Sequence, residues 1–102
     1  MVAVTSRALA GMPPKGFSGY VAAKAGLAAM TQSLSVEYGG RGLRAFIVAP
    51  GFMRTSLTQG WDHAVREAVA TSGESMPEDV ARNIVRLVEN TGIPARGESY
   101  DV

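Results

Sequence analysis

The order of apolar runs and chain breakers constrains this sequence most. Residues 1–4 (Met-Val-Ala-Val) and 43–49 (Leu-Arg-Ala-Phe-Ile-Val-Ala) are β-leaning, almost wholly apolar runs without alternation. Strands of that kind are buried on both faces, as they are in parallel sheets. Parallel neighbours need a long crossover, usually a helix. The intervening sequence supplies one. Residues 5–16 carry the breakers Gly11, Pro13, Pro14 and Gly16. The stretch 18–38 then reads as one long helix, with Gly39-Gly40 expected as its C-cap.

The second half repeats the scheme. Thr55 or Ser56 is placed to cap a helix running to about residue 70, with Trp61, Val65, Ala68 and Val69 on one stripe. Residues 71–74 form a break. Ser75 and Glu78 have the spacing of a capping box, and Pro77 suits a first helical turn. Val80, Ile84, Leu87 and Val88 predict the buried stripe of a helix ending near Asn90. Residues 98–102 read as a third strand. Strand, helix, strand, helices, strand predicts an α/β fold: about three parallel strands joined by crossover helices, in one small domain.

This topology gathers particular side chains at one sheet edge. Ser6 follows the first strand, and Pro50-Gly51 ends the second. The helix returns antiparallel, so its opening turns bring Tyr20 and Lys24 back to the same edge, where open α/β sheets bind ligands. Tyr20 and Lys24 are four residues apart, which on a helix sets their Cβ atoms about 6 Å apart on one face. An ammonium there favours the phenolate, so the tyrosine is suited to pass a proton to or from a substrate oxygen. The helix also carries only Lys24 and Glu37 as charges, among small residues such as Ala22, Ala23, Ala25, Gly26, Ala28 and Ala29. Such a helix is expected to be buried on more than one side, against a sheet and then a second helix or subunit. A lysine in that setting needs a partner or a task.

Composition removes other classes. The 102 residues carry a net charge of +1 and no Lys/Arg cluster, which leaves no electrostatic case for nucleic acid. With no cysteine and one histidine, thiolate and histidine-built metal sites are excluded, and His63 reads as an ordinary helix-surface residue. No run approaches the roughly 20 apolar residues of a membrane span, and no signal-peptide pattern opens the chain. A cytoplasmic location is the expectation.

At these residues the chain resembles the short-chain dehydrogenase/reductase family. The likeness rests on Val-Thr-Ser6, on Tyr20-x-x-x-Lys24 followed by Ala25-Gly26-Leu27, on the run from Gly42 to Pro50-Gly51, and on Thr55 four residues after Gly51. It extends over essentially the whole chain. The resemblance implies a doubly wound Rossmann-type sheet that binds NAD or NADP and transfers hydride between nicotinamide and a carbonyl or alcohol carbon. It implies that Ser6 polarises the substrate carbonyl and that Tyr20 is the general acid/base. Lys24 would hold the nicotinamide ribose and favour the phenolate of Tyr20. Pro50, Gly51 and Phe52 would shape the loop beneath the nicotinamide, with Thr55 at its carboxamide or the adjacent phosphate. Thr5 is the alternative to Ser6, and Thr55 could equally be a simple helix N-cap. Leu57 and Trp61 could line a substrate lid, with packing the favoured reading.

The family's remaining parts are not found in this sequence. It holds no Gly-rich pyrophosphate turn opening a helix, no residue that would choose between NAD and NADP, and no relay asparagine. Residues 1–102 are therefore expected to be the C-terminal half of a dehydrogenase domain, inactive alone, with its first strand an unpaired edge. The alternative is a non-catalytic remnant or interaction module that retains the motifs. By resemblance the complete enzyme would be a homo-dimer or homo-tetramer. The segments 12–17 and 52–70 would shape an apolar pocket for a small carbonyl or alcohol substrate.

Overall fold

In the computed structural model, the residues described are 1–7, 13, 15–51, 53 and 74–102. Strand β1 spans Val2–Val4, helix α1 Ser18–Tyr38, β2 Ala45–Ala49, helix α2 Pro77–Glu89 and β3 Arg96–Asp101. The strands form one parallel sheet in the order β1-β2-β3. Val2, Ala3 and Val4 pair with Phe46, Ile47 and Val48. The α/β architecture and three parallel strands are as the sequence predicts.

Every residue of the central strand β2 is buried. Its side chains alternate between two covered faces. Phe46 and Val48 form the core with Leu87 of α2, joined by Val2, Ile84, Ile93 and Tyr100. Burial of a large apolar side chain in such a core stabilises by about 1.5–3 kcal/mol. The opposite face lies under α1. The inward stripe of that helix is Val21, Lys24, Leu27, Ala28, Thr31, Leu34 and Ser35, at the spacing expected for one helix face. Thr31 and Ser35 are its buried members, and the Thr31 hydroxyl donates to the Leu27 carbonyl at 2.8 Å. The other side of α1, including Ala22, Ala25, Ala29, Met30 and Val36, is exposed in the chain.

Several local expectations are corrected. Helix α1 ends at Tyr38 with Gly39 as its C-cap, as expected, but Gly39 has φ −58° and opens a 3-10 turn, Gly39–Arg41. The positive φ falls on Gly42, at +95°. Its amide donates to the Gly39 carbonyl, and that of Leu43 donates to Tyr38, which is the Schellman arrangement, here closing the 3-10 turn. Strand β2 starts at Ala45 rather than residue 43, because Arg44 turns away to cap α2. Its guanidinium donates to the carbonyls of Val88 (2.8 Å), Asn90 (2.9 Å) and Leu87 (3.3 Å). Val88, predicted buried, is exposed, since Leu87 takes the core position.

Strand β3 begins earlier than predicted, at Arg96, because the pairing continues past Gly97 through a bulge. Ala45 pairs with Arg96 and Phe46 with Glu98, so Gly97 is the extra residue. Its φ is +84°, and a Cβ there would stand 3.1 Å from the Cα of Gln32 in α1. Only glycine lets strand and helix approach so closely.

Candidate active site

Two ladder bonds pin the chain on either side of Ser6. The Thr5 amide donates to the Val48 carbonyl at 2.8 Å, and the Arg7 amide to that of Pro50 at 3.0 Å. The pairing of β1 with β2 thus continues past the strand end and fixes where Ser6 lies relative to Pro50-Gly51. Thr5 is buried, and its hydroxyl also faces the Val48 carbonyl at 3.4 Å. Ser6 is half-buried. The Thr5 hydroxyl is committed to the sheet.

Helix α1 delivers Tyr20 and Lys24 to the same edge. Lys24 belongs to the sheet-facing stripe, at the end of it that lies over the carboxyl end of β1. Its ammonium donates to the Val4 carbonyl at 3.0 Å and lies 5.8 Å from the centre of the Tyr20 ring. The aliphatic stem stays on the sheet while the charged head finds a partner at its rim. Phe17 braces the other side of Tyr20, ring centres 5.5 Å apart in an edge-to-face contact. Tyr20 remains 38% exposed and open to a ligand.

Pro50 and Gly51 are both buried. The Gly51 amide donates to the hydroxyl of Ser75 at 2.9 Å. Ser75 was expected to open a capping box on α2, and it does not. The N-cap is Met76, without a side-chain capping bond, and α2 relies on Pro77 and the first-turn acids Glu78 and Asp79. The Ser75 hydroxyl instead accepts from the Arg7 guanidinium at 2.8 Å and donates to the Val102 main-chain oxygen at 2.8 Å. Arg7 also donates to that oxygen at 3.1 Å. Neither Arg7 nor this role of Ser75 was read from the sequence. Their partners lie 68 and 95 residues away for Arg7, and 24 and 27 away for Ser75, beyond any local pattern.

Ser6, Tyr20, Lys24, Pro50 and Gly51 therefore come to one sheet edge, as expected. Phe52, Thr55, Leu57, Trp61, His63 and the helix expected at 55–70 lie outside the described residues. Among the described residues there is no group of His, Asp and Glu side chains able to hold a metal ion, and no helix is long and apolar enough to cross a membrane. A cleft of about 590 Å³ at the opposite edge is lined by residues including Ser35, Gly39, Arg44, Thr91 and Arg96, none of them in the predicted site.

Comparison with known proteins agrees with this geometry. A family model described as enoyl-(acyl carrier protein) reductase matches residues 1–100. The 3-oxoacyl-[acyl-carrier-protein] reductase of Rickettsia prowazekii is 37% identical over 98 residues, 92% of this chain and 40% of that protein. A cyclohexanol dehydrogenase of Acinetobacter is 32% identical over 89 residues, 86% of this chain and 36% of that protein. A short-chain dehydrogenase of Burkholderia cenocepacia, solved in complex with NADP, superposes with a TM-score of 0.80 at 26% identity, over 99% of this chain and 42% of the other. The chain thus spans about 40% of the length of these relatives. Matched over nearly all its length in sequence and in fold, the chain belongs to the short-chain dehydrogenase/reductase family.

Proposed function

We propose that these residues are the catalytic part of an NAD(P)-dependent oxidoreductase that interconverts a carbonyl and an alcohol, with Tyr20 as general acid/base. One observation carries this reading. The Lys24 ammonium is held at the Val4 carbonyl, two residues before Ser6, and lies beside the Tyr20 ring. A phenol, a hydroxyl and an ammonium thereby share one ligand-binding edge.

The residues present suit a nicotinamide nucleotide. The lysine head has three donors, and Val4 uses one, which leaves two for the hydroxyls of a ribose. When bound, the nicotinamide supplies or accepts the hydride. Ser6 donates a hydrogen bond to the substrate oxygen and polarises its carbonyl. Tyr20 gives that oxygen a proton in reduction and takes one back in oxidation. Lys24 holds the ribose hydroxyls beside them. Pro50, Gly51 and Phe52 shape the floor under the nicotinamide, and Thr55 meets its carboxamide or phosphate.

The order of the motifs supports placing residues 1–102 as the C-terminal half of the dehydrogenase domain, with the pyrophosphate-binding half supplied by sequence not contained here. The substrate is a small carbonyl or alcohol, met by segments 12–17 and 52–70. The exposed small-residue side of α1 supports a homo-dimer or homo-tetramer, and a cytoplasmic location fits a dehydrogenase of this kind. The test is oxidation of NADH or NADPH by the complete protein, pyrophosphate-binding half included, with a panel of carbonyl compounds. Tyr20→Phe should lower turnover at least about 10²-fold. An unchanged rate would remove Tyr20 from the reaction.

A further inference from the structure

The Ser75 hydroxyl has every hydrogen-bonding capacity in use. It accepts from Gly51 and from Arg7, and it donates to Val102. A serine hydroxyl offers one donor and two acceptor lone pairs, so it is saturated. Its partners come from the carboxyl ends of all three strands. With the Arg7 amide bonded to Pro50, a closed circuit runs from Arg7 main chain to Pro50-Gly51, through Ser75, and back to the Arg7 side chain. Ser6 is the residue immediately before that circuit, and Gly51 is in it.

We propose that Ser75, with Arg7, is a positioning residue for the active site: their side chains lock the Gly51 amide and hold the Pro50-Gly51 segment in register with Ser6. The proposal rests on the oxidoreductase reading for what the segment meets, while the clamp itself rests only on the four bonds. Two features separate it from general packing. Ser75 precedes α2 without capping it, so the hydroxyl contributes nothing local. Gly51 is buried, and its amide would otherwise lose a partner inside the protein. Without the clamp, the segment under the nicotinamide is free to move and the cofactor must order it on binding, which weakens affinity without touching the proton-transfer groups.

The test compares Ser75→Ala and Ser75→Thr with the unaltered complete protein, pyrophosphate-binding half included, because threonine keeps the hydroxyl. In Ser75→Ala, hydrogen exchange at the Gly51 amide should accelerate about 10-fold, while the Phe46 and Val48 amides of β2 keep their rates. The dissociation constant and KM for NADH or NADPH should rise about 10-fold with kcat held within about threefold, and Ser75→Thr should restore both readouts. Arg7→Met should move the Gly51 amide the same way. An unchanged Gly51 rate overturns the proposal, and so does acceleration shared equally by β2, which would mark a role in stability alone. Faster Gly51 exchange with unaltered cofactor affinity overturns it as well. Wild-type turnover in Tyr20→Phe would sink the catalytic reading instead, and the Gly51 exchange rate would still decide whether the clamp exists.

Discussion

Lys24 reaches from the second turn of α1 to the carbonyl oxygen of Val4, at 3.0 Å, and so ties the helix to the strand that leads into Ser6. The bond makes the lysine both a strut and a charge. Its ammonium is fixed relative to Tyr20 by the helix and relative to Ser6 by the strand. Rotation of α1 about its own axis would break the bond to the strand while leaving the spacing of Lys24 from Tyr20 unchanged.

Replacing that lysine separates the two roles. Lys24→Met keeps the apolar stem and removes the donors. Affinity for NADH or NADPH should fall about 10- to 100-fold, the range for hydrogen bonds from a charged group. Stability should fall by no more than about 1 kcal/mol, since the head is near solvent. Unchanged cofactor titration together with a lowered melting temperature would make Lys24 a strut alone.

The neighbouring hydroxyls of Thr5 and Ser6 should part company. Ser6→Ala should cut turnover about 10²- to 10³-fold, as expected for loss of a donor to a developing oxyanion. Thr5→Val removes a buried hydroxyl that faces Val48 and should cost about 1 kcal/mol of stability with turnover nearly intact. Steady-state rates on the two variants, alongside denaturant melts, decide it. The reverse pattern would move the polarising role to Thr5.

At Gly97, both backbone conformation and space oppose a side chain. With φ at +84° and Gln32 3.1 Å from a notional Cβ, Gly97→Ala should destabilise the protein by about 1–3 kcal/mol and push α1 off β3. Chemical denaturation measures it. A neutral result would mean that the bulge relaxes at no cost.

Arg44 supplies the C-cap that α2 lacks from its own sequence. Three carbonyls converge on one guanidinium, which also lies 5.3 Å from the centre of the Phe46 ring. Arg44→Met should cost about 1–3 kcal/mol. Arg44→Lys should recover only part of it, because the three donors of an ammonium radiate from one nitrogen whereas the guanidinium reaches these carbonyls from two. Full recovery by lysine would show that charge at the helix end, rather than geometry, is what counts.

What could be read beforehand was whatever depends on near neighbours. Tyr20 and Lys24 declare themselves through helical spacing, β2 through its apolar run, and Ser6 and Pro50-Gly51 through their places at strand ends. The misread residues are those whose partners are remote. Ser75 stands three before Glu78 and looks like a cap, yet Gly51, Arg7 and Val102 outcompete the local bonds. Arg44 looks like part of a strand, although its side chain serves the far end of α2. Gly97 stands outside the third strand that the sequence predicts, because nothing nearby in sequence reveals the passing helix that requires a glycine there. Of the glycines after α1, only the chain's path into β2 selects Gly42 for the left-handed turn.

The bond from Gly51 to Ser75 has one more implication, for how such a chain changes over time. It brings together two points 24 residues apart. In the sequence, Ser6, Tyr20 and Lys24 all precede Gly51. Closing a longer flexible stretch costs only about 0.6 kcal/mol per doubling of its length. A change of chain length between Gly51 and Ser75 therefore costs little closure entropy, and it leaves Ser6, Tyr20 and Lys24 at their own spacing.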